Sequence, residues 1–192
     1  MAGATNERAD AAANRVRILA AARRVLAERG AAGASIDAVA AEAGVGKGTV
    51  FRRFGDRAGL FQALLDEHIG AFQDAFLAGP PPVGPGAPPY DRLVAFVDGL
   101  LELLDQHLEL SLAIERDRWG APLEGHLALA LHVERLIAEL RPEADAHPTA
   151  LLVMSAINVN VVRHLLTEGV ALDDIKAAAH RLLAGLSPDA PC

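Results

Sequence analysis

Apolar residues recur at helical spacing along most of the chain. Over 14–29 they fall at Ile18, Leu19, Ala22, Val25 and Leu26, one face of a helix, and Gly30 marks its end. Ser35 is placed to cap a short helix over 36–43 by accepting a backbone N–H. Gly44 breaks that helix, and a third short one follows over 47–54. Asp56 caps a fourth, in which Leu60, Phe61, Leu64, Leu65, Ile69, Phe72 and Phe76 repeat helically. The stretch GPPPVGPGAPP over 79–89 cannot be helical, because proline lacks the amide hydrogen and clashes with the preceding turn. It reads as an extended connection between helices. Further periodic stretches cover 91–107, a segment ending near 119–120, a run from Pro122 to 140, a run over 149–168 closed by Gly169, and 173–186. No hairpin signal or internal repeat appears, so the pattern predicts an all-α fold of about nine helices.

Composition narrows the class. Hydrophobic residues make up 52% and aromatic residues 4%, so the core is built from Leu, Val, Ile and Ala. No run of about 18 apolar residues free of charge is seen, and the expectation is that nothing spans a membrane. The N-terminus lacks the apolar centre of a secretory signal. Cys192 is the only cysteine, which rules out an intramolecular disulfide and a cysteine metal cluster. The expectation is a cytoplasmic protein with no metal and no cofactor. Charge is split along the chain: residues 1–57 hold ten basic and six acidic side chains, net +4, and the remainder holds eight and 19, net −11. That split fits a polyanion-binding head on an acidic body, or ordinary solvated helix faces.

The stretch AGVGKGTVFRRF over 43–54 poses a question of phosphate chemistry. A nucleotide-binding P-loop needs glycine at 41, where Ala41 stands, and Ser or Thr at 48, where Gly48 stands. A dinucleotide fingerprint starting at Gly44 needs glycine at Thr49, and no strand precedes either motif. A short helix, a glycine turn over 43–45 and a second short helix instead make a helix-turn-helix. Ile36, Val39, Ala40, Val45, Val50 and Phe54 can fill its inside. Lys47, Gly48, Thr49, Phe51, Arg52 and Arg53 then face outward, and the second helix can enter a DNA major groove.

The sequence over 18–65, ILAAARRVLAERGAAGASIDAVAAEAGVGKGTVFRRFGDRAGLFQALL, resembles the N-terminal domain of the TetR family of bacterial repressors. The shared features are the AA-x-x-x-L-A-E-x-G helix end, the SIDAVAAEAGV helix and turn, GTVFRRF and D-R-x-x-L-F. The resemblance implies a DNA-binding head over 1–57 and a ligand-binding, dimerising body over 58–192. It implies DNA contact by Ser35, Lys47, Gly48, Thr49, Phe51, Arg53 and Arg57, to which the outward position of Arg52 adds one more. Family members usually carry tyrosine where Phe51 stands and histidine where Arg53 stands, so a hydroxyl bond to phosphate is lost and a charged contact is offered in its place.

In the body, TALLVMSAINVNVVRHLL over 149–166 is apolar around most of its circumference, so it is buried on more than one side. It is either the central helix of a monomer or, as the resemblance implies, part of a four-helix dimer interface formed by the last two helices of each subunit. Val153, Ile157, Val161 and His164 from this run, with Ile175 and Leu182 from the last helix, are the interface candidates. Asn158 and Asn160 need partners if buried, across the dimer or on a ligand. His107, Trp119, His126 and Asn158 are the ligand candidates, although Trp119 serves equally well as a core residue. The E-R-D-R run at 115–118 reads as a solvated, mutually paired face. His126 and His132 are six apart and fall on different helix faces, and no metal-protease, C-x-x-C or nucleophile-elbow motif occurs, so no catalysis is predicted. Two readings follow: a dimeric repressor released from a palindromic operator on double-stranded DNA by a small molecule, or a helical ligand carrier or adaptor whose basic head binds an acidic protein.

Overall fold

The computed structural model describes residues 2–117 and 127–187. Among the described residues the chain is all-α, with ten α-helices and no strand: α1 Ala2–Gly33, α2 Ile36–Ala43, α3 Lys47–Phe54, α4 Arg57–Ala78, α5 Pro89–Gln106, α6 Leu108–Asp117, α7 Leu127–Leu140, α8 Ala146–Ala156, α9 Val159–Thr167 and α10 Leu172–Leu183, then a 3-10 turn Ala184–Leu186. α1 is kinked at Gly30, whose φ of 65° and ψ of 176° interrupt the helix where the sequence places a stop.

The tenth helix arises at Asn158. The apolar run over 149–168 is not one helix, because Asn158 takes extended backbone (φ −81°, ψ 145°) and caps α9 with its side chain. The break decides how the segment is read. Ala146–Thr167 is 22 residues with mean hydropathy 1.4, long and apolar enough by length and composition to cross a membrane. The stretch carries Arg163, so it is not a charge-free run of 18 residues. Its two helices have 11 and nine residues, each well short of the roughly 20 that a span needs.

Two compact units divide the chain. The first comprises residues 1–67 with 109–119, so it extends past a cut at 57 and takes in nearly all of α6. Its core is small and mostly aliphatic around one aromatic ring: Ile18, Val25, Val39, Val50, Leu60 and Phe61 are each 99–100% buried, with alanines such as Ala22 and Ala34 letting the helices approach. The second comprises 68–108 with 120–192. α5 lies at its centre and buries Leu93, Phe96, Val97, Leu100 and Leu101. α7 adds Leu129, Val133, Leu136 and Ile137, and α8, α9 and α10 add Ala150, Val162 and Ile175. Polar pairs along the flank tie α10 to α5: Lys176 Nζ to Glu102 at 2.6 Å, and His180 Nε2 to Asp98 at 2.7 Å.

Candidate nucleic-acid interface

Local backbone chemistry sets the helix-turn-helix. The Ser35 hydroxyl oxygen accepts from the Ala38 amide at 3.1 Å and starts α2. Gly44 ends it in the left-handed region (φ 62°, ψ 38°), its N–H reaching the carbonyls of Ala40 and Ala41 while the Val45 N–H bonds Ala40 at 3.0 Å. A side chain is strained at that φ, so glycine makes this sharp turn possible. α3 begins two residues later and ends at Gly55. The Asp56 carboxylate then accepts from the Gly59 amide at 2.7 Å and opens α4.

α3 has one inner edge. Val50 is fully buried and Phe54 half-buried, with the Arg15 guanidinium 5.3 Å above the Phe54 ring. Gly48 and Arg52 point away from Val50, and Thr49 and Phe51 flank them, by the helical repeat of about 100° per residue. Phe51 is 59% exposed. No protein atom lies within 4 Å of where a Gly48 side chain would begin, so packing in the protein does not demand glycine there. The outer surface of α3 is therefore bare backbone, one aromatic ring and cations.

The cations differ in how far they are committed. Arg24 pairs with Glu42 at 2.6 Å, and Arg23 pairs with Glu67. Lys47 Nζ sits 2.9 Å from Asp37, both about two-thirds exposed, and such a pair is weak enough to exchange for a phosphate. Arg52 and Arg53 are exposed and have no acidic partner among the described residues. Arg57 departs from the sequence expectation. Its Nε is 2.8 Å from Asp117, its Nη1 bonds the Ala31 carbonyl at 3.2 Å, and its guanidinium lies 5.1 Å over the Phe61 ring. With 22% of its side chain exposed, Arg57 is an internal fastener of this unit, not a free phosphate contact. Within 115–118, Arg116 pairs with Asp117 at 3.6 Å, as expected of a mutually paired face, and Asp117 is shared with Arg57.

The body candidates separate as well. Asn158 accepts from the amides of Asn160 (2.7 Å) and Val161 (3.4 Å), so its side-chain oxygen caps α9. His107 ends α5 and stacks on His68 with ring centroids 4.1 Å apart. Burial, and then the neighbouring His68, holds its pKa below the usual imidazole value. Trp119 and His126 lie outside the described residues. Of the interface candidates, Ile157 and Ile175 are buried in the subunit's own core, which corrects their assignment to an outer face. Val153 is half-buried, while Val161, His164 and Leu182 are exposed. Exposed Leu151 and Leu152 join them, with Leu152 at 72% and Leu182 at 71%. Leu152, Val153, Ala156, Ala179 and Leu182 border an apolar groove of about 200 Å³.

Sequence reasoning missed His132. It is 7% exposed and lies against Phe76 (centroids 4.2 Å) and Phe96 (5.2 Å). Burial, helped by the charges of Arg92 and Arg135 against the opposing Glu139, lowers its pKa to about 4. The signal was present, since the buried period of α7 through Leu129, Val133 and Leu136 carries position 132 inward.

Residues 18–64 match the family model of bacterial regulatory proteins, tetR family. No curated protein matches the chain significantly. Among solved structures, a TetR-family transcriptional regulator from Pectobacterium atrosepticum is 24% identical with TM-score 0.73, over 96% of this chain and 99% of that one. The fatty acid degradation regulator FadR from Bacillus halodurans is 20% identical with TM-score 0.65, over 88% and 97%. FadR from Bacillus subtilis, solved in complex with stearoyl-CoA, is 18% identical with TM-score 0.63, over 89% and 96%. At these identities the structural likeness concerns the fold.

Proposed function

We propose that the chain is a transcriptional regulator of the tetR type and that it works as a cytoplasmic dimeric repressor whose hold on a palindromic operator is released by a small molecule. The observation that carries the reading is the outer face of α3. Gly48, Phe51, Arg52 and Arg53 are exposed on the second helix of a helix-turn-helix, and open space lies where a Gly48 side chain would begin. Cations placed there meet phosphates, a side-chain-free Gly48 lets the backbone approach base edges, and an apolar ring suits a thymine methyl. Lys47, Thr49 and the Ser35 hydroxyl complete the contact set, and Arg57 contributes by holding the unit together.

A single head covers one half-site. Two heads spaced about 34–36 Å apart read successive major grooves of a palindrome. Exposed Leu152 and Leu182, which border one apolar groove, supply the surface for pairing, because a second copy presents the same residues to it. The effector acts by favouring the dimer geometry in which the heads no longer match that spacing.

The test is a footprint on DNA flanking the protein's own coding region, followed by titration across salt. Protection of a two-fold symmetric site is expected, with affinity falling steeply as salt rises. Absence of protection at low salt, with the protein shown folded and dimeric, would sink the reading.

A further inference from the structure

The body hides two nitrogens that have no partner. His132 Nε2 and Arg92 Nε are both buried and make no hydrogen bond among the described residues. They belong to one neighbourhood. His132 stacks on Phe76 and Phe96, Arg92 sits one turn before Phe96 on α5, and an Arg92 Nη reaches the Phe76 carbonyl at 3.5 Å. No carboxylate pairs with Arg92 among the described residues, although the chain beyond residue 57 carries net charge −11. Phe72, Phe76 and Phe96 pack with centroids 5.2–5.5 Å apart, and the charges of Arg135 and Glu139 also reach His132. A buried polar group normally finds a partner, and a cation in an aromatic cluster beside a neutral imidazole is short of an anionic acceptor.

We propose that Arg92 and His132 are the polar end of a binding site for a small apolar carboxylate, whose two oxygens accept from Arg92 Nε and from His132 in its Nε2–H tautomer. This rests on the small-molecule effector reading and names the effector's chemical class. The hydrocarbon part lies among the phenylalanine rings. Phe72, half-exposed and lying across Gly99, is the ring of the three free to yield. With its pKa at about 4, His132 is neutral at pH 7; Arg135 and Glu139 act on it with opposite sign, which leaves Arg92 as the uncompensated charge and matches a monoanion.

The experiment titrates the protein with octanoate and hydrocinnamate, with octanol and hydrocinnamyl alcohol as uncharged controls, following heat of binding and the ring nitrogens of labelled His132 by NMR. The carboxylates are expected to bind about tenfold or more tightly than the alcohols and to raise the His132 pKa. His132→Phe and Arg92→Met should each weaken carboxylate binding by about tenfold to hundredfold. Both should leave the ligand-free protein equally or more heat-stable, because each removes an unpaired buried polar atom. A merely structural role predicts the reverse, lower stability with unchanged binding. Should one variant fail to fold, the other and the His132 nitrogen shifts still report. Alcohols binding as well as carboxylates, or carboxylate binding untouched by both variants, overturns the inference. Carboxylate binding that depends on both residues but leaves the DNA complex intact upholds the site and refutes the effector reading instead.

Discussion

The two units treat their surfaces in opposite ways. The head hides its aliphatic residues and displays glycine, a single ring and cations along α3. The body leaves Leu151, Leu152, Val161 and Leu182 in solvent and buries a histidine and an arginine nitrogen. A surface dominated by one chemistry states what is missing from it. The head is complete as a folded unit and open to a polyanion. In the proposed reading, the exposed leucines of the body take a second copy and its buried nitrogens take a ligand.

The sharpest way to break this contrast is at the apolar face. Leu152→Asp with Leu182→Asp places two carboxylates where the proposed dimer would desolvate them, each costing roughly 2 kcal/mol or more. The monomer should keep its helical signal, since both residues are exposed, while sedimentation should show subunit affinity reduced about a hundredfold or more. A dimer unaffected by both changes would place the interface elsewhere.

Inside the body, His132 should make stability depend on pH. Its folded value of about 4 lies below the ordinary 6.5, so the unfolded chain takes up a proton first as pH falls. The stability is present above pH 6.5 and drains away toward pH 4, a change of roughly 3 kcal/mol. Urea melts at both ends of that window should show the loss, and His132→Phe should remove this component.

In the head, the two kinds of arginine should separate. Arg57→Ala strands Asp117 and the Ala31 carbonyl, lowering stability by roughly 1–3 kcal/mol. Arg53→Ala should leave the melting curve in place, weaken binding to all DNA sequences alike and lower the salt slope by about one. Identical behaviour of the two would erase the distinction between fastener and contact.

Gly48→Ala is the smallest change and the most specific. The added methyl meets nothing in the protein, and replacing a mid-helix glycine should stabilise by roughly 0.5–1 kcal/mol. Operator affinity should fall several-fold in gel-shift titrations. An unchanged affinity would mean that the α3 backbone stays clear of the duplex.

Local chemistry was legible in the sequence. α2 and α3 run over 36–43 and 47–54 as the pattern predicts, because Ser35, Gly44 and Gly55 act on their own neighbours. The all-α class followed from the same periodicity. What escaped depends on distance or on competition. Arg57 finds Asp117 60 residues away, a pairing that no local pattern announces. Asn158 sits in an unbroken apolar run, and its capping geometry outweighs a periodicity that continues on both sides. Arg92 and His132 come from helices joined through intervening chain, so their shared neighbourhood exists only after folding.

The Asn158 break also bears on how the chain is handled during synthesis. Membrane insertion judges a segment by its summed transfer cost before any tertiary structure exists, and polar side chains near the middle of a would-be span weigh most. Asn158 and Asn160 stand close to the midpoint of Ala146–Thr167. There the two amides raise the summed cost of inserting a stretch otherwise rich in leucine and valine. Replacing both with leucine should fuse α8 and α9 and move part of the newly made protein into the membrane fraction of expressing cells.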